Sequence, residues 1–176
     1  GDDTTESAQK SYEVAKKLGI KNQIIWGGNY FTDFLPPSPC WLVWDKRGEM
    51  TSNNFADGEI AWTSYNKPTR IYKQIWSGMI KEGESGKRIH PTQKPIALGA
   101  FCFNNIAPEA KTVLDPFGGS GSTLIACEQL NRTCYMMEID PVYCDVIVQR
   151  YINLKGHDGD VYLERDGNKS AFSNVT

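Results

Sequence analysis

The segment that most constrains the fold of this chain is Thr112 to Ala126, which reads TVLDPFGGSGSTLIA. An apolar run of strand type leads into Asp115, a loop with three glycines follows, and a helical pattern begins near Ser122. Glycines let the backbone approach a ligand closely, and the N-terminus of a helix offers unpaired N–H donors. The segment predicts a strand, a ligand-binding turn and a helix; a glycine-rich turn that binds nothing is the alternative.

A second acidic residue narrows the choice of ligand. Glu138 ends the next predicted strand, 23 positions after Asp115, where a doubly wound fold places the carboxylate that binds a ribose diol. The loop lacks the third glycine of a dinucleotide fingerprint and the lysine of a P-loop. An acid in front of the glycines repels a pyrophosphate but suits an amino or sulfonium group. S-adenosylmethionine therefore fits the segment better than NAD or ATP.

Hydrophobic periodicity and turn residues predict the order of the other elements. Helices are predicted at 5–18, 95–108, 122–130 and 141–154, and strands at 24–26, 40–44, 59–63, 70–76, 112–114 and 133–139. Strand and helix alternate from 112 to 154, which is typical of a βαβα unit with parallel strands. The polar tail after 155 is expected to fray.

Composition excludes several classes of protein. With 40% hydrophobic and 23% charged residues, the chain is globular rather than disordered or coiled-coil. No run approaches the roughly 20 apolar residues of a membrane span, and the first residues lack a signal-peptide pattern, so a cytoplasmic location is expected. Five cysteines without a CxxC pair indicate reduced, buried thiols, and two distant histidines argue against a metal site.

Basic residues concentrate between Tyr65 and Pro95, although the whole chain has a net charge of −2. The segment holds seven basic and two acidic residues, a local charge of +5, and aromatic residues are interleaved with them. This pattern predicts contact with nucleic-acid phosphates, with Lys67, Arg70 and Lys73 as the candidate DNA-binding residues. A solvated loop whose lysines bind nothing is the alternative.

Several motifs follow one another in a recognisable order: RIHPTQKP (Arg88 to Pro95), LDPFGGSGST (Leu114 to Thr123) and YMMEIDPVYCDVIVQRY (Tyr135 to Tyr151). They are preceded by IIWGGNYF (Ile24 to Phe31) and CWLVWDKRG (Cys40 to Gly48). In this order they resemble the amino-group DNA methyltransferases of the permuted β type, which methylate adenine N6 or cytosine N4. HPTQKP followed by DPFGGSG is the most specific part of the resemblance.

The resemblance implies a Rossmann-like methyltransferase fold, a three-layer α/β arrangement with a mainly parallel sheet that is incomplete at its N-terminal side. One methyltransferase domain is expected over 1–155, with a basic loop region at 49–87 that contacts DNA, and a C-terminal tail over 156–176. The implied cofactor is S-adenosylmethionine and the implied partner is double-stranded DNA. Adenine N6 is the first choice of methyl acceptor and cytosine N4 the second.

The resemblance also assigns roles to residues that match the family's motifs. The site of the cofactor's methionine carboxylate corresponds to Pro91, Thr92 and Lys94. The loop around the methionine moiety corresponds to Asp115, Phe117, Gly119 and Gly121. Glu138 corresponds to the ribose-binding acid, and Asp140 and Pro141 would lie beside the adenine. A solvated lysine at a helix start is the alternative for Lys94, and a structural role is preferred for His90.

The family's catalytic tetrapeptide, [DNS]PP[YFW], does not occur in the chain. Ser38-Pro39-Cys40-Trp41 matches three of its four positions, but it follows IIWGGNYF instead of preceding it, which indicates a chance match. The expectation is that the first portion of the methyltransferase, with the catalytic residues, lies outside this chain. A cofactor- or DNA-binding fragment without catalysis is the alternative, and a dinucleotide-dependent oxidoreductase is disfavoured by the missing glycine.

Overall fold

A computed structural model describes residues 5–77, 80–84 and 89–172. The described helices are Glu6–Lys17 (α1), Ile96–Asn105 (α2), Ser122–Gln129 (α3) and Pro141–Lys155 (α4). The described strands are Ile24–Trp26 (β1), Trp41–Asp45 (β2), Gly58–Thr63 (β3), Arg70–Lys73 (β4), Trp76–Ser77 (β5), Ile80–Lys81 (β6), Thr112–Asp115 (β7), Thr133–Met136 (β8), Tyr162–Arg165 (β9) and Asn168–Ala171 (β10). All four predicted helices are confirmed; three agree to within one residue at either end, and α2 ends three residues before the predicted limit at 108.

The chain divides into two compact units. The first unit takes its residues from Gly1–Lys87 and Phe101–Pro108, and the second from Arg88–Ala100 and Glu109–Thr176. Helix α2 contributes its first half to the second unit and its second half to the first. Lys87 and Arg88, which belong to the predicted basic segment, lie outside the described residues.

A four-stranded sheet in the order β1-β3-β2-β4 organises the first unit. Along β2, Leu42 and Trp44 are buried and their neighbours are half-buried, as expected for a strand with one covered face. Leu42 packs in a core with Cys102 and Ile106, which come from the end of α2 and the residue that follows it. Trp44 donates its indole N–H to the carbonyl of Gln74 at 3.1 Å, so the buried ring has a polar partner.

The strand directions in this sheet differ from the mainly parallel arrangement that the resemblance implied. Strand β3 pairs antiparallel with β1 and with β2, whereas β4 runs parallel to β2. The physical reason is the connection: the described residues between β2 and β3 contain no helix, and parallel neighbours need a long crossover that antiparallel neighbours do not. The ion pair of Arg47 with Asp57, at 2.6 Å, closes this connection. The α/β class is confirmed, with a mixed sheet in this unit.

The second unit contains the predicted βαβα order, β7-α3-β8-α4. Strands β7 and β8 are parallel, and Asp115 stands opposite Met136 at their carboxyl ends. Helix α3 buries Ile125, Ala126 and Cys127. Because ligands of open α/β sheets bind outside the carboxyl ends of parallel strands, this pairing places the glycine-rich loop where a ligand is expected.

The residues after α4 do not form the fraying tail that was expected. Strands β9 and β10 pair antiparallel and are joined by Asp166 and Gly167, which have φ angles of 53° and 76°. Two consecutive positive φ angles in a two-residue loop are typical of a type I′ hairpin, for which Asp-Gly is a preferred sequence. The described part of the predicted tail, up to residue 172, is therefore ordered by its turn chemistry.

Among the helices of residues 5–77, 80–84 and 89–172, none is long and apolar enough to span a bilayer. The longest, α4, has 15 residues and extends about 23 Å, which is shorter than the roughly 30 Å hydrocarbon core.

Candidate functional site

The loop between β7 and α3 is built around glycines that no other residue could replace without strain. Gly119 and Gly121 have φ angles of 53° and 75°, in the left-handed region that disfavours side chains. A Cβ on Gly118 would lie 2.8 Å from Cγ of Met136. The N–H of Gly118 donates to the carbonyl of Met137 at 2.8 Å, which holds the loop against the end of β8. Gly118, Ser120 and Gly121 are buried and Gly119 is half-buried, so the loop follows one closely packed course.

The N-terminus of α3 follows this loop directly. Gly121 is its N-cap, and no side chain caps the helix. The hydroxyl of Ser122 donates to the carbonyl of Lys94 at 2.7 Å, and Arg150 donates to the carbonyl of Ser120 at 2.6 Å. These bonds fix the loop from two sides, and the backbone N–H groups of the first helical turn keep their capacity to bind a ligand.

Asp115 is a carboxylate held in an unfavourable environment at the end of β7. Burial raises its pKa above the ordinary range, and the charge of Glu138 adds to that effect. Hydrogen bonds from the hydroxyl of Thr123 and the N–H of Phe117, the latter at 3.0 Å, oppose the rise, as does the charge of Lys94. A buried acid that is only partly compensated is suited to a cationic or hydroxyl-bearing ligand.

Glu138 is the opposite case, a carboxylate whose ionised form is favoured. Its Oε1 accepts from the N–H groups of Ile139 and Asp140 at 2.8 and 2.9 Å, and its Oε2 accepts from the N–H of Gly119 at 2.6 Å. These backbone bonds, with that of Asp140 the largest cause, lower its pKa. The carboxylate ties the end of β8 to the glycine loop and retains lone-pair capacity for a hydroxyl donor.

The structure brings His90 into this site, which sequence reasoning did not. Its ring packs against Tyr143 with centroids 4.2 Å apart, and a Cβ on Gly119 would lie 3.7 Å from it. Its Nδ1 accepts from the backbone N–H of Thr92 at 3.2 Å. One sequence feature could have indicated this site: Tyr143, Ile147 and Arg150 are spaced i, i+4 and i+7 and so share one face of α4. Tyr143 contacts His90, and Ile147 and Arg150 contact the glycine loop.

The remaining predicted cofactor-binding residues surround the same loop. Pro91 and Thr92 are exposed and Lys94 is half-buried. Phe117, with 59% of its surface exposed, stands at the loop's outer edge. Asp140 caps α4 by accepting from the N–H of Val142 at 2.9 Å, and Pro141 occupies the first helical turn. The capping role of Asp140 was not anticipated.

Comparison with known proteins identifies the family. A family model described as DNA methylase, N6_N4_Mtase, matches residues 7–149. The match covers most of the 176 residues. The chain belongs to this family. The amino-methyltransferase resemblance inferred from the motifs is thereby confirmed.

Individual DNA methylases are similar to the chain over part of their length. The type II methyltransferase M.HinfI of Haemophilus influenzae is 31% identical over 159 residues, which are 82% of this chain and 42% of that protein. M.HindIII, from H. influenzae strain Rd, is 29% identical over 101 residues, 52% of this chain and 33% of that protein. M2.LlaDCHI of Lactococcus lactis is 25% identical over 137 residues, 74% of this chain and 50% of that protein. The chain spans a third to a half of the length of these relatives.

Two crystal structures are also similar. That of M1.HpyAVI has a TM-score of 0.49 and 24% identity over 74% of each chain. That of the M1.HpyAVI-SAM complex has a TM-score of 0.43 and 26% identity over 62% of this chain and 60% of the other.

The three residues predicted to touch DNA in this DNA methylase lie on or beside β4, in the first unit, and differ in their environments. The ammonium of Lys67 donates to the carbonyl of Ile106 at 2.8 Å and lies 5.7 Å from the ring centre of Tyr65. Arg70 and Lys73 are exposed. They point to opposite faces of β4, because neighbouring residues alternate along a strand. The structure therefore does not gather the three charges at one point.

In the segment that partly matches the family's tetrapeptide, Ser38 and Trp41 donate hydrogen bonds to backbone carbonyls. The hydroxyl of Ser38 donates to the carbonyl of Thr63 at 2.5 Å, and the indole of Trp41 donates to the carbonyl of Ser38 at 3.1 Å. Both polar groups thus have hydrogen-bond partners within the chain.

Proposed function

We propose that the second unit of this chain binds S-adenosylmethionine, as part of a DNA methyltransferase that modifies an exocyclic amino group. The observation that carries the proposal is the placement of two carboxylates beside the glycine loop: Asp115 ends β7, and Glu138, which accepts from the N–H of Gly119, follows the end of the parallel strand β8. When bound, this cofactor supplies a methyl group on a positively charged sulfur. The proposed acceptor is adenine N6, with cytosine N4 as the second choice.

The chemistry of the site fits this cofactor better than a nucleotide with phosphates. Two carboxylates beside the glycine loop repel a pyrophosphate, whereas they attract an amino or sulfonium group. Glu138 is ionised and has acceptor capacity for a ribose hydroxyl. Lys94 and the N–H groups at the start of α3 offer positive partners for a carboxylate. Gly118, Gly119 and Gly121 let the loop pack closely, because a Cβ at these positions would approach Met136, His90 and Ile147 respectively.

Calorimetry with S-adenosylmethionine and with its demethylated product tests the cofactor proposal. Asp115→Ala and Glu138→Ala should each weaken binding by about 1 to 3 kcal/mol, the range for a lost hydrogen bond to a charged group. Asp145→Ala removes an exposed carboxylate from α4 and should leave binding unchanged. Tighter binding of NAD than of either methionine compound would contradict the proposal.

The basic strand β4 is proposed to contact the DNA backbone. Replacing Arg70 or Lys73 with Ala should weaken binding to duplex DNA and reduce the dependence of log K on log salt by about 0.9 for each lost phosphate contact. Lys67→Ala should leave that slope unchanged, because its ammonium is bonded to the carbonyl of Ile106. If none of the three variants alters the slope, the basic segment does not bind DNA phosphates and the solvated-loop alternative holds.

A binding fragment without catalysis is the second candidate. The observation that favours it is the lack of a [DNS]PP[YFW] tetrapeptide in the 176 residues. The two candidates share the cofactor site, so calorimetry does not separate them, and a methyl-transfer assay does.

A further inference from the structure

The hairpin of β9 and β10 is a feature that the cofactor site does not use. Its register pairs Arg165 with Asn168 next to the turn, and then Glu164 with Lys169. Directly paired residues of antiparallel strands share a face, and residues two apart share it as well. One face therefore carries Arg165, Asn168, Leu163 and Ser170. The other carries Glu164, Lys169, Tyr162 and Ala171.

The two faces differ in charge and in partners. On the second face, the ammonium of Lys169 lies 4.0 Å from the ring centre of Tyr162 and stands across from Glu164, so its charge is compensated. On the first face, the side chains of Arg165 and Asn168 make no hydrogen bond or ion pair with any residue of the described part of the chain. This face, which we call the arginine face, has one positive charge, no acid and amide and hydroxyl groups without protein partners.

Three of the four side chains of the arginine face, those of Arg165, Asn168 and Ser170, are of types that read base edges in DNA. Arginine donates in bidentate fashion to guanine O6 and N7, asparagine bonds adenine N6 and N7, and a serine hydroxyl serves either base. Asp166, in the turn, has a carboxylate of the kind that accepts from the amino group of cytosine. The residue types at the end of this hairpin thus match duplex DNA rather than an apolar protein surface.

The dimensions of the hairpin suit a groove. The major groove is about 12 Å wide and 8.5 Å deep and admits a two-stranded ribbon. Strands of four residues, as in β9 and β10, extend roughly 14 Å, so the turn would reach the floor of the groove before the base of the hairpin met the backbone. Arg165 and Asn168 flank the turn and would arrive there first, because the two-residue loop fixes them side by side.

We propose that the arginine face of this hairpin inserts into the major groove of duplex DNA and contributes to sequence recognition. The proposal rests on the proposed function only in taking duplex DNA as the substrate. It adds a recognition element in the second unit to the phosphate contacts proposed for β4.

The test measures affinity for mixed-sequence duplexes with and without 7-deazapurines, which replace the N7 acceptor with a C–H group in the major groove. The wild-type chain should lose affinity for the 7-deaza duplexes, on the order of tenfold for each bidentate contact. The double variant Arg165→Ala, Asn168→Ala should bind the normal duplexes less tightly and show no further loss with 7-deazapurines. The matched variant Glu164→Ala, Lys169→Ala changes the opposite face and should behave as the wild type.

Calorimetry with S-adenosylmethionine on the same preparations shows whether each variant is folded and separates the two proposals. If the cofactor binds and 7-deazapurines weaken wild type and double variant equally, the hairpin proposal is overturned while the proposed function stands. An equal effect of the two double variants on normal duplexes also overturns it. A wild-type chain that binds neither cofactor nor DNA overturns both proposals.

Discussion

At the scale of single residues, the site sets two carboxylates in opposite environments. Asp115 has a pKa raised chiefly by burial, and Glu138 has a pKa lowered by backbone N–H bonds. The ionised carboxylate of Asp115 therefore destabilises the chain in the absence of a ligand, whereas that of Glu138 stabilises it. We infer that Asp115 is kept for binding, because a neutral residue of the same shape would be better tolerated by the fold alone.

Asp115→Asn should therefore stabilise the chain without ligand and weaken its binding of S-adenosylmethionine. A raised carboxyl pKa means that the native state holds the proton more tightly than the unfolded chain does. The stability of the wild type then falls as pH rises from about 4 through the raised pKa and stays low above it. The variant lacks this fall, so its Tm at pH 7 should be higher, by roughly 3 °C.

Glu138→Gln provides the control of opposite sign. The stabilising contribution of Glu138 is present above the pKa of an unfolded glutamate and is lost as pH falls through its lowered native value. This variant should melt below the wild type at pH 7, and the difference should shrink in acid. Thermal melts between pH 2.5 and 8 measure both effects; an Asp115→Asn variant that melts below the wild type at pH 7 would contradict the inference.

At the scale of elements, hydrophobic periodicity predicted the helices and strands whose limits are marked by their own residues. The helices and β7-α3-β8-α4 were predicted because apolar spacing, Gly121 and Pro141 mark their limits. The directions of β1 to β3 were not, because pairing depends on the connections between strands. The C-terminal hairpin was missed although Asp166-Gly167 is a strong turn signal, because its strands are exposed and lack an apolar alternation.

The glycine loop gives a test of how closely these elements are packed. Gly121 and Gly156 have nearly equal φ angles, 75° and 76°, but only at Gly121 would a Cβ meet a side chain, Cγ1 of Ile147 at 3.0 Å. Gly156→Ala should cost about 1 kcal/mol in the free energy of unfolding, from the left-handed backbone alone. Gly121→Ala should cost a further 1 to 3 kcal/mol, roughly, from overpacking against α4. Urea unfolding compares the two, and equal costs would mean that Ile147 moves aside.

At the scale of the whole molecule, the chain, a member of the DNA methylase family, divides into two compact units. The second unit holds the proposed cofactor site, and its residues could be proposed from the sequence because each lies in a short local motif, such as Asp115 with its glycines. His90 was not predictable, since its contacts with Tyr143 and Gly119 join residues distant in sequence. The catalytic side chains are a different matter, because the motif that supplies them in the family does not occur in these 176 residues.

The last prediction is that this 176-residue chain does not methylate DNA by itself, although it binds S-adenosylmethionine. The amino nitrogen of a base keeps its lone pair delocalised into the ring unless polar groups accept its hydrogens, and an aromatic face must hold the flipped base. Losing one preorganised group of this kind costs on the order of a hundredfold or more in rate. Ser38 and Trp41 do not replace the motif, because their polar groups are bonded to backbone carbonyls.

A tritium-transfer assay on mixed-sequence duplex DNA, with cofactor binding verified by calorimetry in the same sample, should give incorporation at the level of a no-protein control. Duplexes that contain only A·T pairs or only G·C pairs would assign any activity to adenine N6 or to cytosine N4, respectively. Incorporation that is abolished by Ser38→Ala or Trp41→Ala, in variants that still bind the cofactor, would make Ser38-Pro39-Cys40-Trp41 the catalytic motif. Incorporation that survives both substitutions would place the catalytic groups elsewhere in the chain, because the cofactor alone does not free the nitrogen lone pair.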